Sequence, residues 1–151
     1  MKNKSSFFLI SAIFLCFVSC TTTESLSCPY LLAHPQVKLG AEDEIQHFAG
    51  MNFSLFNDSE KIIERFTVSF MLYDSEGKNP FVGSNCIVSR CDCHILPGAV
   101  ENFTISLDSF ISVVPEEPYL VDFLYIREIR YSDGSSWSDP YGMYCVKESH
   151  E

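Results

Sequence analysis

The 151-residue sequence predicts an all-β sandwich, and three observations carry the prediction. Several segments alternate apolar and polar residues with a period of two. Turn-forming residues separate these segments at short intervals, as in sandwiches of short strands. No stretch shows a sustained helical period with caps at its ends. Phe and Tyr together number 20, which favours strands further.

The alternation is clearest in three segments of the chain. Their apolar positions are Met51, Phe53 and Leu55, then Phe66, Val68, Phe70 and Leu72, then Phe103, Ile105 and Leu107. Turns are predicted between them at Asn57-Asp58-Ser59, Asp74-Ser75-Glu76-Gly77 and Pro97-Gly98. The longest apolar run, residues 119–126, has mixed parity, and this predicts a strand buried on both faces.

Two local features complete the expected domain. Asp133-Gly134 predicts a two-residue hairpin turn, which would place Arg130 opposite Trp137 for a cation–π contact. Residues 42–47 are expected to form one helical turn or an irregular lead-in.

The N-terminus has the organisation of a secretory signal. Lys2 and Lys4 precede an uncharged, mostly apolar run at residues 7–18. As a helix that run would span about 18 Å, too short for a bilayer core of about 30 Å. The segment is therefore expected to be a cleaved signal peptide and not a membrane span.

The end of this run resembles a bacterial lipobox at Val18-Ser19-Cys20, with Phe17 where Leu is usual, as in the looser lipoboxes of spirochaetes. The resemblance implies lipid on Cys20 and a location in the bacterial cell envelope, facing the periplasm or the cell surface. The alternative is an ordinary signal peptide with Cys20 as a plain thiol. The expected organisation is a signal peptide at 1–19, a lipid-anchored tether at 20–40, a β-sandwich at 41–145 and a tail at 146–151.

Phe70-Met71-Leu72-Tyr73-Asp74 resembles the signature of FxLYD domains, which are small modules of exported bacterial proteins and lipoproteins. The order of Gly50, Asn57, Gly77, Pro97-Gly98 and Phe103 around the motif is similar, so the resemblance covers roughly residues 47–108. It implies an immunoglobulin-like β-sandwich without known catalytic residues. The cysteine-rich stretch at residues 86–94 and the extension at residues 119–144 depart from the family pattern.

The cysteines are the one group that suggests site chemistry. If Cys20 carries lipid, the mature chain keeps Cys28, Cys86, Cys91, Cys93 and Cys145, and export favours disulfides. We expect Cys86 to pair with Cys91 or Cys93 in a small loop. The other of those two would pair with Cys28 or Cys145, or remain free. The alternative is a metal site of Cys86, Cys91, Cys93 and His94, although its spacing is not a usual zinc pattern.

Charge and motifs exclude several classes of function. The formal charge is −10, with 10 basic and 20 acidic residues, which disfavours binding to nucleic acid. Four scattered histidines and the adjacent Glu116 and Glu117 do not form a catalytic set, so no enzyme and no cofactor is expected. The sequence thus predicts a non-catalytic binding or structural module that is held to a membrane by lipid on Cys20 and contacts an unknown protein partner. The alternative is a metal-binding envelope protein.

Overall fold

The structure, a computed structural model, describes residues 28–40, 49–111 and 115–144. These residues form seven strands: β1 (Tyr30–Leu39), β2 (Ala49–Asn57), β3 (Ile63–Tyr73), β4 (Cys86–Ile95), β5 (Val100–Ser106), β6 (Leu120–Tyr131) and β7 (Ser136–Ser138). They make two antiparallel sheets, ordered β1-β2-β5 and β4-β3-β6-β7, that pack together. The predicted all-β sandwich is confirmed. No helix within the described ranges has the length and apolarity to cross a bilayer.

The core lies between the sheets where period-two alternation predicted it. Met51, Phe53 and Leu55 of β2 are buried, as are Phe66, Val68, Phe70 and Leu72 of β3. The two sheets meet through aromatic rings. The Phe66 ring from β3 stands edge-on to Phe103 of β5, with 4.8 Å between centroids, and edge-on to Phe53 of β2 at 6.2 Å.

The predicted turns are closed by backbone and side-chain hydrogen bonds. Asp74 Oδ1 accepts hydrogen bonds from the N–H groups of Glu76 and Lys78, and Gly77 has a positive φ of 76°. Asn57 is fully buried, and its side-chain amide donates to the carbonyls of Lys61 and Ile95. These two hydrogen bonds connect the β2–β3 turn to the end of β4. No buried polar atom of Asn57 is left without a partner.

The sandwich extends further toward the N-terminus than expected. Tyr30–Leu39 is strand β1, which pairs with β2 along most of its length, so this part of the expected tether belongs to the sheet. The sequence did not predict this strand because Pro35 interrupts the alternation of apolar and polar residues. Proline is tolerated in an edge strand, which needs backbone donors on one side only. Residues 42–47 lie outside the described ranges.

The β6–β7 hairpin has a different register from the predicted one. Arg130 pairs with Ser136, and Trp137 lies opposite Ile129. The Tyr131 N–H donates to the carbonyl of Ser135, which closes a three-residue loop with Gly134 at a φ of 83°. The prediction of a two-residue turn was wrong by one residue. A slip of one residue moves a side chain to the other face of the sheet, so no Arg130–Trp137 pair forms.

Strand β6 also differs from the expected strand buried on both faces. Leu120 and Phe123 are each 54% exposed. The pairing of β6 with β3 is interrupted by a bulge between Ser69 and Met71, and β7 covers β6 only from Glu128 to Arg130. The first half of β6 is therefore an open sheet edge. The apolar residues of β6 do not alternate regularly because the bulge interrupts the strand.

Candidate functional site

A groove with a mostly apolar lining lies between β1 and the first half of β6. β1 is an edge strand of its sheet, and the first half of β6 is an open edge because β7 pairs only with residues 128–130. The cavity has a volume of about 360 Å³. Its lining comprises Leu31, Leu32 and Pro35 from β1, Val121, Asp122, Phe123 and Leu124 from β6, and Cys28, Tyr30 and Tyr144. A mostly apolar concavity with few polar groups is the usual form of a binding site. We call this region the β1–β6 groove.

Both strands that form the groove contain a residue with a strained backbone. Among the described non-glycine residues, only His34 and Phe123 have a positive φ, at 55° and 49°. His34 lies in the β1 bulge beside Pro35, and Phe123 lies in the β6 bulge. The left-handed conformation costs a bulky residue about 1–3 kcal/mol, and such strain clusters at functional sites. The Asp122 carboxylate accepts the Phe123 N–H at 2.8 Å and supports the turn locally.

The floor of the groove joins the two sheets. Tyr30 is 2% exposed, and its hydroxyl accepts a hydrogen bond from the Ile126 N–H at 2.8 Å. Its ring stands edge-on to Trp137, with 5.6 Å between centroids. Burial raises the pKa of Tyr30 above its usual value, more strongly than the hydrogen bond from Ile126 lowers it. The hydroxyl therefore stays neutral over the physiological pH range.

One end of the groove is built by residues 139–144. The buried Asp139 carboxylate accepts the N–H groups of Met143 and Tyr144 at 3.0 and 2.9 Å, and the Asp139 N–H donates to the Arg127 carbonyl. A Cβ on Gly142 would lie 2.9–3.1 Å from the ring of Tyr125, so only glycine allows this close approach. The segment thus packs on β6 and leaves Tyr144 at the groove. The sequence pattern did not predict the β1–β6 groove. Asp139 and Gly142 are the only residues of this segment that could have indicated it.

The cysteine-rich stretch forms strand β4 and not a disulfide loop. Cys86, Cys91 and Cys93 are free thiols. Cys86 and Cys91 are five residues apart in an uninterrupted register, which puts them about 16 Å apart on opposite faces. A disulfide needs Cα atoms about 4.4–6.8 Å apart. The expected bridge from Cys86 to Cys91 or Cys93 was therefore wrong.

The same geometry rules against the alternative metal site. Cys91 and Cys93 pack against the core, whereas Cys86 lies beside Ser69, with 3.5 Å between Sγ and Oγ, and His94 is exposed. No group of three or more His, Cys, Asp or Glu side chains among the described residues is placed to hold a metal ion. The four residues thus lie on one strand without facing one point.

The half-buried thiols of Cys91 and Cys93 are also weak acids. Burial, followed by the charge of Glu101, raises the pKa of Cys93 to about 12. Burial and the charge of Asp92 also raise the pKa of Cys91. Because the thiolate is the reactive form, neither thiol suits nucleophilic chemistry near neutral pH.

The remaining predicted site residues are separated or lie outside the described ranges. Cys28 is disulfide-bonded, and its partner is not among the described residues. Cys20 and Cys145 are themselves outside those ranges. Glu116 and Glu117 are exposed in the β5–β6 connection, distant in the chain from His34 on β1 and His94 on β4.

Comparison with known proteins gives one structural relative. The chain resembles the X-ray structure of a hypothetical protein from Peptoclostridium difficile 630, with a TM-score of 0.55 and 14% sequence identity. The match covers 75% of this chain and 87% of that chain. No family model matches the sequence, and no curated protein matches it. At this identity the likeness shows the fold alone, a sandwich of antiparallel sheets.

Proposed function

We propose that this chain is a non-catalytic lipoprotein of the bacterial envelope that is tethered through lipid on Cys20. Its β-sandwich contacts other molecules of the envelope through the β1–β6 groove. The observation that carries the proposal is the groove itself. It is an apolar concavity between two open strand edges, and the strained residue Phe123 belongs to its lining. Binding modules commonly work through open strand edges and adjacent loops.

The residues of the FxLYD-like motif support a structural role for that motif. Phe70 and Leu72 are fully buried in the core. Tyr73 lies on the opposite face, where its hydroxyl donates to the Met71 sulfur, and Asp74 closes the turn to Lys78. Each position thus serves the fold. We propose on this basis that the domain is an immunoglobulin-like sandwich of the FxLYD type.

The absence of a converging set of reactive groups supports a role without catalysis. In the ranges the structure describes, the free thiols of Cys91 and Cys93 have raised pKa values, and the neighbouring His94 is exposed on the opposite face of β4. The Tyr30 hydroxyl at the groove floor accepts a backbone hydrogen bond, and the Asp122 carboxylate accepts one as well. The polar groups of the groove thus stabilise the backbone.

The charges on the outer face of the larger sheet support partners other than nucleic acid. Arg65 pairs with Asp92, and Arg130 pairs with Glu128. These pairs offset much of the positive charge on this face, in a chain whose formal charge is −10. Phosphate binding depends on clusters of uncompensated Lys and Arg.

Two measurements in intact bacterial cells test the proposal. Cys20→Ala should move the protein from the membrane fraction to the soluble fraction, or leave it unprocessed. Correct processing and continued membrane association would contradict lipidation. Separately, a photo-crosslinking amino acid at Phe123 should give adducts that the same group at Val88 does not give. Val88 is the matched control because it is 48% exposed on the far edge strand β4 of the same sheet. Equal adducts at both positions would contradict the groove as the contact surface.

A further inference from the structure

The chain enters the described domain at the groove. Cys28 is the first described residue and lines the β1–β6 groove, and Tyr144, the last described residue, lines it too. Cys28 is eight positions after Cys20 in the sequence, a span of at most about 29 Å when fully extended. Lipid on Cys20, which is part of the function proposed above, would hold that residue at the membrane surface. The groove then lies within this distance of the bilayer.

The rim of the groove is unusually apolar for a solvent-exposed surface. Of eleven large apolar side chains exposed in the described ranges, three line the groove: Leu31, Phe123 and Tyr144. Their exposed fractions are 44%, 54% and 49%. These residues come from β1, β6 and the segment after β7, so the fold and not one apolar run of sequence brings them together. Contiguous exposed apolar groups mark a surface that another apolar phase covers.

Charge also points to a neutral apolar contact. The lining of the groove contains no Lys or Arg, and its one acidic side chain is Asp122. Removal of residues 1–19 would take away Lys2 and Lys4 and no acidic residue, which lowers the formal charge from −10 to −12. Attraction to anionic lipid requires basic clusters, so this surface would rely on apolar and tyrosine side chains, which favour the bilayer interface.

We infer that the bilayer that carries the anchor covers the β1–β6 groove. In this arrangement Leu31, Phe123 and Tyr144 insert among the lipid headgroups. The domain then lies on its β1–β6 side, with the opposite edge strands, β4 and β5, directed away from the membrane. The anchor would place the domain at the bilayer, and the rim would fix its orientation. Membrane contact would also cover two open strand edges that could otherwise pair with other chains.

The test uses the lipidated full-length protein and its single tryptophan. Trp137 is replaced by Phe, and a new tryptophan is introduced as Phe123→Trp or Leu31→Trp at the rim, or as Val88→Trp on β4. Each protein is incorporated into phosphatidylcholine vesicles with brominated acyl chains, which quench tryptophan fluorescence at short range. Val88 is two strand spacings from β6, about 10 Å, and its exposure is similar to that of Phe123.

We expect the two rim tryptophans to be quenched at least twofold more than the tryptophan at residue 88 and to shift their emission to shorter wavelength. Replacing part of the lipid with anionic phosphatidylglycerol should not increase the quenching. Equal quenching at all three positions, or stronger quenching at residue 88, would overturn the inference. So would in-cell crosslinks from Phe123 to a protein instead of to lipid.

Flotation of the vesicles separates this inference from the proposed function. Protein that floats with the vesicles but shows no rim quenching would keep the lipid anchor and overturn the orientation alone. Protein that does not float would contradict the lipid anchor and therefore also the orientation, which depends on that anchor.

Discussion

The hydroxyl of Tyr30 accepts a hydrogen bond from the backbone N–H of Ile126, at 2.8 Å and across 96 residues of sequence. This bond joins the first strand of the smaller sheet to the central strand β6 of the larger one. It satisfies a buried backbone donor in the part of β6 that β7 does not reach. The same tyrosine ring packs edge-on to Trp137, so one side chain links β1, β6 and β7 at the floor of the groove.

Removing this hydroxyl should destabilise the protein. Tyr30→Phe leaves the Ile126 N–H buried without its acceptor, which costs about 1–3 kcal/mol in the free energy of unfolding. Chemical denaturation of wild type and variant measures the loss. Tyr73→Phe is the control, because the Tyr73 hydroxyl meets only the sulfur of Met71 on the partly exposed outer face. Equal stability of Tyr30→Phe and wild type would contradict the structural role.

Truncation of the core side chain in the FxLYD-like motif should have a larger effect. Phe70 is 0% exposed, so Phe70→Ala should lower the free energy of unfolding by roughly 3–5 kcal/mol through lost burial and a cavity. Tyr73→Ala, on the other face, should cost less. Thermal melting curves compare the two, and an unchanged curve for Phe70→Ala would contradict the parity of β3.

The disulfide of Cys28 is expected to involve Cys145. Tyr144, the residue before Cys145 in the sequence, lines the same groove as Cys28, and Cys86, Cys91 and Cys93 are free thiols. Peptide mapping without reductant should recover the two cysteine peptides joined. Cys28→Ser should destabilise the protein by about 2–5 kcal/mol, because the bridge closes a loop of more than 100 residues. Cys86→Ser is the control, since Cys86 is a free thiol. Recovery of Cys28 linked to any other cysteine would contradict the pairing.

Stability should fall as the pH rises above about 8.5. Burial and Glu101 raise the pKa of Cys93 to about 12, whereas the thiol of the unfolded chain titrates near its ordinary value of 8.5. Above that value the unfolded state binds fewer protons than the folded state, so alkaline pH favours unfolding. Denaturation between pH 7.5 and 9.5 should show a shallower decline for Cys93→Ala than for wild type. If stability declined with pH at the same slope in wild type and Cys93→Ala, a contribution of Cys93 to this decline would be contradicted.

Much of the core was predictable from local pattern. Met51 to Leu55 and Phe66 to Leu72 are buried as their period-two alternation predicts, because successive side chains of a strand point to opposite faces. Turn chemistry was predictable for a similar reason. Asp74 and Gly77 meet the hydrogen-bonding and φ requirements of their turn within five residues.

The candidate site could not be predicted in this way. Cysteines 86, 91 and 93 are close in sequence, yet an extended strand separates them by distance and by face. The register of the β6–β7 hairpin depended on whether the Asp133-Gly134 turn used two or three residues, and that choice decided which face Trp137 occupies.

The sequence by itself determined that the chain alternates apolar and polar residues in strands, and where several turns close, because these properties depend on neighbours a few residues apart. Only the tertiary structure decided that Pro35, Phe123 and Tyr144 line one groove, that Tyr30 bonds to Ile126, and that two edge strands remain open. The physical reason is that bulges, strand order and the packing of sheets depend on contacts between residues distant in the chain. Periodicity specifies which face of a strand is apolar, but not which strand will lie beside it.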